Sequence, residues 1–104
     1  MDIPGHKWVR ALTEPVIGTV GNHCSIHLDG RHDTVTISKV EDHCNISGQC
    51  RSLAIGSMAD HVYICTTGVV VHGATGDHCD ITQNATDQEV QLWRAQHDRD
   101  EAGN

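Results

Sequence analysis

The chain has 104 residues, 38% of them hydrophobic, which suffices for one domain and not comfortably for two. Fourteen acids against seven basic residues give a net charge of −7, which argues against a nucleic-acid binder working through a basic face. Three aromatics (Trp8, Tyr63 and Trp93) and no Phe exclude a ring-filled core, and no apolar run approaches the ~18–20 residues needed to span a bilayer.

The opening segment, Met1-Asp2-Ile3-Pro4-Gly5-His6, lacks the basic and apolar regions of a signal peptide. Residues 1–20 are expected to form an N-terminal cap or arm. His6 to Leu12 would be a short helix or strand broken by Pro15, with Ile3, Trp8 and Leu12 on its apolar side.

From residue 21 the chain repeats itself. Asn22-His23-Cys24-Ser25-Ile26, Asp42-His43-Cys44-Asn45-Ile46, Asp60-His61-Val62-Tyr63-Ile64 and Asp77-His78-Cys79-Asp80-Ile81 share one pattern, with starts 20, 18 and 17 residues apart. A weaker family lies between them: Val35-Thr36-Ile37, Leu53-Ala54-Ile55 and Val69-Val70-Val71. Apolar residues alternate within each segment, as in a strand with one buried face, and glycines punctuate the intervals. Two strand families at nearly equal period predict an all-β fold over residues 21–84. It is a short parallel β-solenoid of about three and a half two-strand coils, with equivalent residues in columns ~4.7–4.9 Å apart. The inward columns read Cys24/Cys44/Val62/Cys79 and Ile26/Ile46/Ile64/Ile81 on one side, and Val35/Leu53/Val69 and Ile37/Ile55/Val71 on the other. An antiparallel sandwich is the competing fold, but it has no reason to repeat the same His and Ile in alternate strands.

Residues 85–104 are expected to be a C-terminal capping helix and tail. Thr86 and Glu89 have capping-box spacing, with Ala85 and Val90 as a hydrophobic staple. The helix should cover roughly 87–99, bury Val90, Trp93 and His97, and leave 100–104 frayed. Because small scaffolds often lean on association, the terminal residues Trp8, Leu12, Val90 and Trp93 are candidate interface residues of a homo-oligomer, a trimer being one closed form.

His23, His43, His61 and His78 should form an outward column beside Asn22, Asp42, Asp60 and Asp77. Neutral imidazoles beside carboxylates are candidate ligands for zinc or another transition metal. The plainer reading is a solvated ladder at a coil corner with no cofactor. Cys24, Cys44 and Cys79 read as buried small hydrophobes, while Cys50 falls at a turn and Cys65 points outward. Five cysteines do not suggest a disulfide framework, and no Cys-x-x-Cys, Gly-x-Ser-x-Gly, phosphate loop or His-Glu-x-x-His is present, so no catalytic residue is assigned.

Gly21-Asn22-His23-Cys24-Ser25-Ile26, Asp33-Thr34-Val35-Thr36-Ile37 and Gly76-Asp77-His78-Cys79-Asp80-Ile81 resemble the short Gly-Asn/Asp-x-x-Val-x-Val β-solenoid repeats of proteins of unknown function from actinobacteria and their phages. The resemblance covers roughly residues 21–84 and transfers no catalytic residues. It implies a non-enzymatic structural protein, a bacteriophage virion accessory bound to a capsid, tail or spike through protein–protein contacts. Such a protein would reside in the virion if phage-encoded and otherwise in the cytoplasm, without nucleic acid or membrane as partner. The alternative is a soluble binding module, sequestering metal through the His column or inhibiting a host protein.

Overall fold

A computed structural model describes residues 2–12, 14–30 and 33–97, apart from the side chain of His97. Among these residues nine strands precede one helix: β1 (Trp8–Val9), β2 (Val16–Val20), β3 (Ser25–Asp29), β4 (Thr34–Val40), β5 (Asn45–Gln49), β6 (Ser52–Met58), β7 (Tyr63–Thr66), β8 (Val69–Ala74), β9 (Asp80–Thr82) and α1 (Asp87–His97). Odd-numbered strands form one sheet in the order β1-β3-β5-β7-β9, and even-numbered strands form a second in the order β2-β4-β6-β8. Every pairing is parallel. The chain therefore visits the two sheets alternately and winds a β-solenoid of about four turns, followed by one C-terminal helix.

Residues 1–20, expected as a cap or arm, contribute strands to both sheets. Trp8 and Val9 pair with Ser25 and Ile26, Val16 to Val20 pair along β4, and Ile3 bridges Val20. The segment from His6 to Leu12 thus contributes the two-residue strand Trp8–Val9 rather than a helix, and Ile3, Leu12, Ile17 and Val20 are all buried at this end of the coil stack.

The core is a thin layer of aliphatic side chains between the sheets. Ile26, Ile46 and Ile64 are completely buried from one side, and Ile17, Ile37 and Leu53 from the other. In β2, β4 and β6 the alternation breaks once: Ile17 and Val20 are both buried although three residues apart, as are Ile37 and Val40, and Ile55 and Met58. That shift marks a bend, after which Val20, Val40 and Met58 close the rim of the core.

Two expected columns are corrected at their last members. Leu53 pairs with Val70 and Ile55 with His72, so Val70 faces inward while Val69 and Val71 face solvent at 46% and 59% exposure. Three successive valines carry no alternation of their own. The step of 17 residues from His61 to His78 also governs the opposite sheet, where Leu53 to Val70 is the same distance.

The helix begins as its first turn predicts. Thr86 Oγ1 accepts the Glu89 amide at 3.1 Å and the Glu89 carboxylate accepts the Thr86 amide at 3.0 Å. Ala85 and Val90 are buried together with Cys65, and Trp93 packs against them. Cys65, expected to point outward, is 2% exposed because α1 covers that side of β7. The helix packs on the outer face of β5 and β7, a flank of the solenoid rather than its open end. Arg94 fixes it there, donating to Ser47 Oγ at 2.8 Å and to the Ser47 carbonyl at 3.2 Å. The end expected at 99, the burial of His97 and the fraying of 100–104 lie outside the described residues. No helix among the described residues is long and apolar enough to cross a membrane.

Two glycines set a contrast for testing this frame. Gly48 sits in β5 at φ +129°, and a Cβ there would run into the Leu28 carbonyl of the neighbouring strand. Gly30 has φ +82°, but its Cβ would meet only the Gln49 side chain, at 3.2 Å. Gly48→Ala should cost about 3 kcal/mol, with strain and overlap both contributing, whereas Gly30→Ala should cost only about 1 kcal/mol. Urea unfolding of the two variants checks the order, and equal costs would contradict the register of β3 and β5.

Candidate functional site

Each coil turns into its odd strand through one histidine in the left-handed region. His6, His23, His43, His61 and His78 have φ between 57° and 60°. Left-handed backbone costs an L-residue roughly 1–2 kcal/mol, and His is among the non-glycine residues that accept it most often. The corner recovers hydrogen bonds in return. The amides of His6, His23, His43 and His61 donate to the carbonyls of Asn22, Asp42, Asp60 and Asp77, at 2.8–3.0 Å. The ladder of one sheet thus continues unbroken around the bend.

Three side-chain columns accompany this backbone ladder. The Asp42 carboxylate accepts the Asp60 amide at 3.0 Å, and the Asp60 carboxylate accepts the Asp77 amide at 2.8 Å. The thiols of Cys24, Cys44 and Cys79 donate to the carbonyls of Pro4, Gly21 and Ala59 at 3.1, 3.0 and 3.0 Å. The imidazoles lie face to face, with centroids 4.9, 4.9, 4.8 and 5.0 Å apart from His6 to His78 and interplanar angles of 5–14°. His61 Nδ1 also lies 3.4 Å from the Tyr63 hydroxyl.

The four histidines expected as a column, His23, His43, His61 and His78, are brought together as the middle and end of a stack of five. His6 was missed because Gly5 and Lys7 replace the acid and the small residue that flank His in the other copies. Two signals pointed to it: Val9 follows at the usual distance, and His6 precedes His23 by 17 residues, the spacing of His61 and His78.

Stacking decides how these rings can meet a metal. A metal binds imidazole along a lone pair in the ring plane, at about 2.0–2.1 Å. Rings stacked nearly parallel hold their lone pairs side by side, not converging. Among the described residues no group of three or more His, Cys, Asp or Glu side chains is arranged to hold a metal ion. A zinc site made of adjacent ladder members would require rings to rotate out of the stack.

The four expected interface residues fall in three different environments. Leu12 and Val90 are each 2% exposed and serve the chain's own interior. Trp93 is partly buried beside Val90. Trp8 is 38% exposed, edge-on to His27 with centroids 6.0 Å apart, and the Arg10 guanidinium lies 4.4 Å from its ring centroid.

The feature that sequence reasoning missed is the outer face of β2-β4-β6-β8. Lys39 is the one charged residue in these strands. Val16, Val69 and Val71, three of the five large hydrophobic residues exposed among the described residues, lie on this face beside Thr36, Ala54, Gly56 and Gly73. Its signal was hidden by the assignment of Val69 and Val71 to the core.

All five cysteines are free. Burial pushes the Cys44 thiol up to about 12, with the neighbouring Cys24 and Glu41 charges adding to the rise, and burial raises Cys50 and Cys65 as well. Such thiols stay protonated near neutrality, and the thiolate is the nucleophilic form. Compared with protein-family models, curated proteins and solved structures, the chain matches none of them.

Two measurements test this geometry. His43→Asn keeps a residue suited to positive φ and should stay within about 0.5 kcal/mol, whereas His43→Ile should cost about 2 kcal/mol; equal losses would remove the left-handed corner from the account. For the thiol column, a folded-state value above the unfolded one means stability that is intact below about pH 9 and falls as pH rises toward about 12. Cys44→Val, which copies Val62 in the same column, should change neutral-pH stability by about 1 kcal/mol or less and reduce the alkaline loss. Denaturation midpoints of both proteins between pH 7 and 11 make the comparison.

Proposed function

We propose that the chain is a non-enzymatic structural module that binds another protein through the outer face of β2-β4-β6-β8. The observation that carries this reading is the unequal treatment of the two sheets. The five-stranded sheet carries the chain's own helix over β5 and β7, while the four-stranded sheet exposes Val16, Val69 and Val71 and has Lys39 as the one charged residue of its strands. Uncharged, β-branched surface is inexpensive to dehydrate, and apolar patches of this kind mark association sites more often than chance. The rigid parallel ladder holds the face at fixed shape, so binding need not order a loop.

The setting we favour is a bacteriophage virion, with the chain as an accessory on a capsid, tail or spike. The support is the likeness of its repeat to solenoid repeats of actinobacteria and their phages, an argument by analogy of fold. Metal sequestration by His23, His43, His61 and His78 ranks below it, because the parallel rings do not converge on a common point.

Mass spectrometry of purified particles from the source should find the chain at stoichiometric copy number. Ala54→Arg, a change at the centre of the face, should leave the protein folded and reduce its incorporation at least tenfold, while Leu92→Arg on the exposed side of α1 should not. Absence of the chain from particles would end the virion reading, and full incorporation of Ala54→Arg would end the assignment of the face.

A further inference from the structure

Each junction between coils of the odd sheet is made in one way, and the two ends of the solenoid are the separated halves of such a junction. At the corner, the amides of His6, His23, His43 and His61 donate to carbonyls of the following coil, those of Asn22, Asp42, Asp60 and Asp77. The carboxylates of Asp42 and Asp60 accept the amides of Asp60 and Asp77. In the strand after the corner, the amides of Ser25, Asn45, Tyr63 and Asp80 donate to carbonyls of the preceding coil, those of Lys7, Cys24, Cys44 and Val62. Each imidazole also stacks on the next, from His6 to His78.

Continued off the C-terminal end, this pattern leaves the Asp77 carboxylate and the Cys79 carbonyl as acceptors, the His78 amide as donor and one face of the His78 ring. Among the described residues no coil follows, residues 71–78 are all exposed, and Cys79 and Ile81 are only partly buried. Continued off the N-terminal end, it leaves the Gly5 and Trp8 amides as donors, the Gly5 carbonyl as acceptor and the outer face of His6. Trp8 is the register partner of Ser25, which puts Gly5 in the place of Asn22. Every donor on one end thus has an acceptor at the matching place on the other.

We propose that the C-terminal end is a self-association surface, and that its occupant is the N-terminal end of a second copy, stacked head to tail with β9 parallel to β1. Three observations select that occupant. Every strand pairing among the described residues is parallel, and head-to-tail stacking keeps that direction. The polar groups left over at the two ends complete one another, with the Asp77 carboxylate gaining the Gly5 amide and His6 continuing the ring column past His78. The charges agree as well: the same register sets Asp80 opposite Trp8, and Arg10 lies two residues along on the same face.

The contact is a weak one, for reasons the N-terminal end makes plain. Pro4 stands where Gly21 stands in the next coil and has no amide to donate. Lys7 takes the column place of Cys24 and sets a charge against the junction, a device that guards open edges. In the even sheet Asp2 and Ile3 lie beyond β2 only opposite Thr19 and Val20, so most of β8 gains no strand. The corner and the odd sheet therefore carry the junction. Stacking along one axis does not close on itself, so association continues past the dimer.

Sedimentation velocity on the full chain, from micromolar to millimolar concentration, tests the proposal. Reversible growth past the dimer, with no fixed end point, is the expected result. Lys7→Val, which copies Val62 in the same column, should tighten association about tenfold, while Asp80→Arg and Arg10→Asp should each weaken it about tenfold. An equimolar mixture of those last two variants should recover it, and Leu92→Lys on the exposed side of the helix should change nothing. If a variant does not fold, hydrogen exchange of the wild type decides: the Trp8 and His78 amides, at opposite ends, should gain protection together as concentration rises. A monomer at millimolar concentration, growth that stops at the dimer, a mixture that fails to recover association, or protection at one end only would each overturn the proposal. None of these outcomes depends on whether Ala54→Arg affects particle binding.

Discussion

A parallel solenoid has to bring its backbone back over itself, displaced by one strand spacing, on every turn. In this chain the left-handed histidine meets that condition. A right-handed residue at the same point would send the chain away from the odd sheet, and the rungs from His6, His23, His43 and His61 to the next coil would not form. Four amide rungs worth about 0.5–1.5 kcal/mol each offset local strain of similar size. The corner is therefore close to neutral in energy by itself. Its value lies in register: with the turn identical in each coil, Ile26, Ile46, Ile64 and Ile81 stack without slippage.

Stacking of identical corners explains the composition on either side of them. Beside the turn there is room for a small residue only, and cysteine fills it while its thiol donates to a carbonyl of the preceding coil. Val62 occupies the same place and is fully buried, so filling the space matters more than the weak S–H bond. The thin interior has no position deep enough for a ring, and both tryptophans are accommodated outside it, Trp8 on the surface and Trp93 on the helix, packed against Cys65, Ala85 and Val90.

The coil architecture was legible because it is written as a repeat: one His and one Ile at constant spacing identify the corner and the strand that follows. What remained hidden had no periodic signature. His6 lost both flanking residues that mark its fellows. Val69, Val70 and Val71 are interchangeable as hydrophobic letters, and only coil length shows which faces inward. Cys65 alternates correctly as an outward residue, yet a helix more than twenty positions later buries it. Local spacing reveals which face of a strand a residue occupies, whereas coverage of that face is a tertiary event. For the same reason the capping box of Thr86 and Glu89 located the start of the helix but not the flank on which it lies.

Coverage also organises the electrostatics. Within the repeat the acids concentrate at the corners, where Asp42 and Asp60 are held by amides of the next coil, and Asp87 and Glu89 begin the helix on the covered flank. Those positions are tolerated because each carboxylate accepts backbone N–H groups or sits near a positive helix terminus. The consequence for a chain of net charge −7 is that β2, β4, β6 and β8 are left almost without charge. Any approach to another molecule through a corner must bring carboxylates together or strip them of water, whereas an approach through the four-stranded sheet meets neither cost. The fold thus sets the direction of contact through the same rule that builds its corners: carboxylates are placed where backbone amides need acceptors, which brings only Asp2, on the Thr19 amide, against the edge of the four-stranded sheet.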